Sequence, residues 1–384
     1  MVGLGAGFGW AVTGRLLIGL YFGVVEGPAR AFVGEVTCRT VRGAVGNVLN
    51  TVTPVTVVLV LGLGSRLPWR TVEFSLVTAS AVLQACGLLF LPQSPKWLLA
   101  HGHPSEEAER SVRFYLGDGA DVKQEVKNIE ESLSRSGHAA SLLTRLSHVF
   151  RRWENLHPTL LLLLQFFCLV FSGAIGVVQF GPAIFRSTGG DINPYHSSMY
   201  ISAAMALSML ISGSLLERCN RRVLLQVSGL LGMVGCTAMG AFFLLGQYPW
   251  LVLAGALATT LSYGAGIAPI TFTYLVELLP NSVRSMAISI VLLYFSVVQF
   301  LAVHFFPAMV SGLGNYGTFW LFAAVNLLQV ALATFWLPET RGLSLEEIQR
   351  RFFSAAPPPA GAVDAAEKAE RSPPPVEEAE STAL

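Results

Sequence analysis

The sequence predicts an all-α polytopic membrane protein, and three observations carry that reading. Of 384 residues, 53% are hydrophobic and only 13% are Asp, Glu, Lys or Arg, about half the charged share of a soluble domain. Apolar stretches of about twenty residues recur along the chain, each long enough to cross ~30 Å of hydrocarbon as a helix. Runs such as LLLLLQFFCLVF at 160–171 are unbroken, whereas barrel strands would alternate in and out. The balance argues against a water-soluble enzyme. With 25 Lys and Arg against 24 Asp and Glu there is no basic stretch to collect phosphates, so no nucleic-acid partner is expected. Cys38, Cys86, Cys168, Cys219 and Cys236 are odd in number and scattered, which indicates neither a disulfide framework nor a metal site. No cofactor is implied.

In chain order, nine spans are expected at roughly 10–35, 42–63, 72–91, 159–185, 197–217, 223–246, 250–279, 285–307 and 317–337. They divide the chain into a three-span bundle (1–92), a helical loop (93–157) and a six-span bundle (158–338). A tail (339–384) follows, expected to lack order from about 354, where two PPP runs leave little to bury. Within the loop, PSEEAERSVRFYL and VKQEVKNIEESLSR have helical spacing with charged faces, as surface helices do. Lys and Arg collect on alternate connections: nine lie in the loop, while Arg66, Arg70 and Arg186 are the basic residues on the other side. The positive-inside rule then makes the loop and the C-terminus cytosolic and the N-terminus external. A start outside the cell without a cleavable leader would be explained by spans preceding Met1.

The strongest local signal is a repeat. Glu35 and Arg42 sit seven apart at the end of the first span, and Glu277 and Arg284 do the same at the end of the seventh. Pro92-Gln-Ser-Pro-Lys96 after the third span is echoed by Pro338-Glu-Thr-Arg-Gly342 after the ninth, as in carriers built from repeated bundles. Together with Gly14-Arg15 and Glu217-Arg-Cys-Asn-Arg221-Arg222, these motifs resemble the sugar porter family of the major facilitator superfamily, most closely the facilitative glucose and insect trehalose transporters. The resemblance runs from about residue 10 to 352 and implies the major facilitator fold, with the spans matching the family's fourth to twelfth and three absent at the front. Gln93, Lys96 and Asn220 depart from the usual Glu, Arg and Gly.

Repeated carboxylates and guanidiniums at helix ends suit a cytosolic gate that holds two bundles together and releases them. Its candidate members are Glu35, Arg42, Glu217, Arg221, Arg222, Glu277, Arg284, Glu339 and Arg341; their other reading is orientation and helix-end solvation. Gln93 cannot pair with Arg as an ion, so the first-half side of the gate should be the weaker.

For the solute site, Gln165, Ser172, Gly176 and Gln179 fall on one face of the fourth span, which should line a cavity, with Gly181-Pro182 interrupting that helix. The seventh span, with Gly264, Gly266 and Pro269 before Thr271, Phe272 and Thr273, reads as a broken helix beside a midplane site. The resemblance implies a sugar-contacting role for Asn50, puts Gln179 and Phe180 at an outer aromatic gate, and puts Phe272 where a Trp is usual. Ser296 and Gln299 complete the polar candidates. Leu169, Val170, Ile175 and Met205 stand where the family has amides, so a more apolar pocket is implied and glucose specificity does not carry over. Each single Ser or Gln has a second reading as an interhelical hydrogen bond. Glu26 and Arg30, i and i+4 within the first span, read either as a self-neutralised pair or as a coupling site.

The function expected is a plasma-membrane carrier of a small sugar-like or polyol-like solute. The alternatives are a non-transporting truncated regulator and an organic-ion transporter of the same superfamily. Ser381-Thr-Ala-Leu384 also fits a C-terminus that adds as a strand to a PDZ domain.

Overall fold

The structure is a computed structural model that describes residues 8–37, 42–117, 122–135, 153–188, 193–279 and 283–341. The described secondary structure is helical throughout. Three long helices come first, α1 (Phe8–Val36), α2 (Arg42–Gly64) and α3 (Trp69–Phe90). Three short ones follow, α4 (Pro95–Ala100), α5 (Ser105–Leu116) and α6 (Val122–Arg135). Ser94 caps α4 by accepting a hydrogen bond from the Trp97 amide, and Pro95 supplies the preset first helical residue. Leu98, Ala108, Val112, Val122 and Val126 form a small core of their own, so the amphipathic loop folds as a helical cluster. The Tyr115 hydroxyl donates to the Pro92 carbonyl at 2.6 Å and ties that cluster to the end of α3.

The second half comprises α7 (Trp153–Val170), α8 (Ala174–Arg186), α9 (Pro194–Arg218), α10 (Arg221–Leu245), α11 (Trp250–Ser262), a π-helical turn (Tyr263–Ile267), α12 (Ala268–Glu277) and α13 (Arg284–Phe335). Asn193 caps α9 through the amides of Tyr195 and His196. By length and hydropathy, seven described helices can cross a membrane; the spans at 155–186 and 250–277 are each 61% buried, which puts the protein core in the second half. The count of nine expected from the sequence further requires α2, whose described apolar stretch Thr51–Gly64 is short, and a division of the 50-residue span 286–335. At 1.5 Å per residue α13 would be about two and a half times as long as the hydrocarbon is thick. Gly314, at φ +72°, supplies a break within it.

Two cores organise the second half. One gathers Phe166, Leu225, Ile270, Tyr274 and Val291 at the level of α12, and the other gathers Phe185, Met239, Phe242, Phe306 and Phe319 around α8. Close approach is possible because small residues face each other: a Cβ on Gly235 would meet the Gly255 carbonyl at 2.6 Å, so α10 and α11 touch backbone to backbone. α2 packs along α9, and this contact joins the two halves.

The fourth span differs from the sequence reading in where it breaks. Helix α8 passes through Gly181-Pro182 without interruption, and the break lies at 171–173 instead, between α7 and α8. Gly173 adopts φ +94°, which an L-residue takes only at a cost, whereas Pro182 forfeits one helical donor and stays within the turn. A Cβ on Gly173 would also lie 2.9 Å from the Cys236 sulfur. Gly173→Ala is therefore expected to cost at least about 1–2 kcal/mol, read as a lowered melting temperature in detergent; an unchanged melting curve would contradict this account of the break.

Candidate functional site

A cavity of about 230 Å³ lies where α2 meets the second half. Its walls are Thr53, Pro54 and Val57 from α2, Val178 from α8, Ser202, Met205, Met209 and Ser212 from α9, Tyr263 from the π turn, Ala268, Pro269 and Phe272 from α12, and Phe295 from α13. The π turn sets part of this wall. It adds a residue to the helical turn, so a wide turn sits between Gly264, packed on Ser208 and Met205, and Gly266, packed on Ser228. The Tyr263 hydroxyl has no hydrogen-bond partner among the described residues. Ser202 returns its hydroxyl to the Ser198 carbonyl, leaving the oxygen lone pairs as acceptors. Pro182 and Pro269 each remove a donor from the helical ladder, and the former leaves the carbonyl of the cavity residue Val178 without its i+4 amide. Phe272 is held edge-to-face by Phe166 and Phe295, at centroid distances of 5.4 and 6.1 Å. The result is a mostly apolar chamber with aromatic walls and a few hydroxyls.

Among the residues expected to touch solute, Phe272 lines this chamber. Gln165 is fully buried beside it, its amide nitrogen donating to Thr271 Oγ1 at 2.9 Å while its Oε1 has no partner among the described residues. Ser172 is buried and donates to the Leu169 carbonyl. Gln179 is exposed, and Phe180 stacks on Phe306 at 4.5 Å with the rings 9° apart. Ser296 is exposed and Gln299 partly buried, both away from the chamber walls. Gln165, Ser172, Gly176 and Gln179 are not among the residues that line this chamber, whereas Val178, after the left-handed turn at Gly173, is. The side chains of Asn50, Arg42, Glu26 and Arg30 lie outside the described residues; their backbones belong to α2 and α1. Tyr263 and Met209 went unremarked at the level of sequence, although a tyrosine just before Gly264 and Gly266 was the available signal.

The charged residues at the helix ends form a tight second-half network. Glu339 accepts from the backbone amides of Arg221 and Arg222, both at 3.1 Å, and so caps α10 where the Asn220 side chain does not. The Arg221 guanidinium pairs with Glu277 and donates to Thr340 Oγ1 at 2.9 Å. Arg222 donates to the Thr334 carbonyl, and Arg341 donates to the Arg218 carbonyl at 2.7 Å. Arg284 does not pair with Glu277 as the repeat suggested. Its Nε and terminal nitrogen both turn back to the Leu279 carbonyl, at 3.2 and 3.1 Å, because Arg221 already occupies the carboxylate. Burial pushes the Arg284 pKa down. In the first half, Glu35 accepts from Ser94 Oγ at 2.5 Å and pairs with Lys96 at 3.5 Å. Glu217 is exposed and has no ion-pair partner among the described residues.

A family model described as "Sugar (and other) transporter" matches residues 4–352. The chain belongs to that family. Among curated members, the facilitated trehalose transporter of Aedes aegypti is 27% identical over 89% of this chain and 43% of its own length. That of Drosophila sechellia is 27% identical over 90% of this chain and 72% of its own. The chain spans under half the length of the mosquito relatives, from Aedes aegypti and Anopheles gambiae. Among solved structures, the major facilitator superfamily proton:xylose symporter XylE bound to 6-bromo-6-deoxy-D-glucose superposes with a TM-score of 0.65 at 19% identity, covering 84% of this chain and 70% of that one. The inward open form of the E. coli xylose transporter gives the same score at 18% identity. At that identity the likeness establishes the fold, that of the major facilitator superfamily.

For this member of the sugar transporter family the helix-end network makes a stability prediction. Glu339→Ala leaves the backbone amides of Arg221, Arg222 and Arg341 without their acceptor, and is expected to cost roughly 1–2 kcal/mol. Glu217→Ala, at an exposed position, should stay within about 0.5 kcal/mol. Parallel thermal melts check the contrast, and equal shifts would contradict it.

Proposed function

We propose that this chain is the working part of a secondary or facilitative carrier that moves a small sugar-like or polyol-like solute across the plasma membrane by alternating access. The observation that supports this most is the chamber between α2 and the second half, set beside a π turn in a family whose relatives carry sugars. Its volume is below the about 300–1,000 Å³ of clefts for drug-sized ligands, so the enclosed space suits a solute of monosaccharide size. Phe272 and Phe295 offer faces for the C–H side of a sugar ring, while Tyr263, Thr53 and Ser202 offer hydroxyls. Asn50, Gln165, Ser172, Gln179, Phe180, Ser296 and Gln299 remain candidates for contacts made in other states of the cycle.

In this reading the division is a first-half bundle to residue 92, the loop cluster to 157, a second-half bundle to 338 and a tail. The positive residues support a cytosolic loop and C-terminus. The Arg221–Glu277–Glu339 network locks the cytosolic end of the second half and serves as one side of the gate; in this structure Glu35, Arg221, Arg222, Glu277, Arg284 and Arg341 all bond within their own half. No covalent step is involved, so the protein acts as a carrier and not as an enzyme. A PDZ partner for Ser381–Leu384 rests on the terminal motif alone.

Uptake of labelled hexoses, pentoses, polyols and disaccharides into proteoliposomes containing the protein tests the proposal. Saturable uptake of at least one neutral solute is expected, and a flat panel with confirmed reconstitution would overturn the carrier reading. Tyr263→Phe removes one hydroxyl from the chamber and should raise the KM of the best solute about fivefold to tenfold, the worth of one hydrogen bond; an unchanged KM would remove Tyr263 from the site.

A further inference from the structure

The break between α7 and α8 leaves a backbone carbonyl to which no helical amide donates, and its treatment is specific. Inside hydrocarbon such a group needs a partner from its neighbours. The Ser172 carbonyl is met by Asn326 Nδ2 at 2.8 Å, from the second part of α13, with the Cys236 sulfur of α10 at 3.5 Å. Asn326 Nδ2 also donates to the Phe322 carbonyl of its own helix at 2.8 Å. Both partners are acceptors, so the nitrogen must face them and the amide orientation follows from chemistry. The amide oxygen turns the other way and rests on Gly232, where a Cβ would lie 2.7 Å from it. Asn326 is fully buried, so this bond is shielded from competing water.

We propose that Asn326 is a positioning residue that pins the hinge at 171–173 and thereby sets the placement of α8 over the solute chamber. The consequence runs through α8 alone: Val178 is part of the chamber wall, and Phe180 carries the stack on Phe306. The Phe306 ring in turn occupies the space that a side chain at Gly176 would need, with a Cβ there 2.9 Å from it. The first half of α8 is therefore held at two points, by Asn326 at its hinge and by Phe306 at Gly176 and Phe180. Of these, Asn326 gives the directional bond. This inference deepens the carrier reading and rests on it for its functional meaning, while the pin itself is read without transport.

Hydrogen exchange of the detergent-solubilised protein by mass spectrometry tests it, comparing Asn326→Leu with the unmodified chain. Loss of one buried hydrogen bond should speed exchange in 174–186 by about threefold or more, with 153–170 and 221–245 unchanged. Asn326→Asp, equal in shape and able to give one hydrogen bond when protonated, should fall between the two; it carries the same comparison if Asn326→Leu does not fold. Uniform acceleration across α7, α8 and α10 would reduce Asn326 to a packing residue and overturn the proposal, as would unchanged exchange in 174–186. Either result leaves the carrier reading standing, whereas a flat uptake panel would remove that reading without altering the exchange pattern.

Discussion

The structure depends on one constraint: within a bilayer every interruption of a helix must be answered by a neighbouring element. Two interruptions matter here. At 171–173 the answer comes from Asn326 and Cys236, and at 263–267 the chain stays helical by widening into a π turn. The helix after the first carries Val178 and the second begins at Tyr263, and both residues line the chamber.

The charged helix ends obey a related rule with charge in place of amides. A helix N-terminus exposes amides and carries partial positive charge, and two arginines at the start of α10 would add to it. Glu339 offsets both by accepting two backbone amides, while Glu277 takes the Arg221 guanidinium. The chain that follows α13 is thereby fixed against the start of α10, and Tyr274 adds a bond to the Pro338 carbonyl at 3.1 Å. The ends of α9, α10 and α12 are thereby tied to the chain that follows α13.

Much of this was legible in the sequence because hydropathy and repeats are local signals. The second-half spans at 195–218, 221–245 and 250–277 lie close to their apolar runs, and the loop helices followed their charge pattern. The site was less legible because it depends on rotation about a helix axis. The fourth span turns at Gly173, φ +94°; before it Gln165 and Ser172 bond to Thr271 and to the Leu169 carbonyl, and after it Val178 lines the wall. The Glu277/Arg284 repeat likewise located charged helix ends without revealing that Arg221, distant in sequence, would take the carboxylate. Asn326 drew no notice because a lone Asn in an apolar run has no pattern; its partner is a backbone carbonyl 154 residues away.

The central claim is that the chamber beneath α8 receives the solute in this state. Thiol labelling decides it most directly, with a cysteine placed at Met205 in the wall or at Ser296 outside it, in a background lacking other reactive thiols. The account predicts that a transported solute slows labelling at Met205→Cys saturably and leaves Ser296→Cys unaffected. Protection at Ser296→Cys alone, or at neither position, would contradict it.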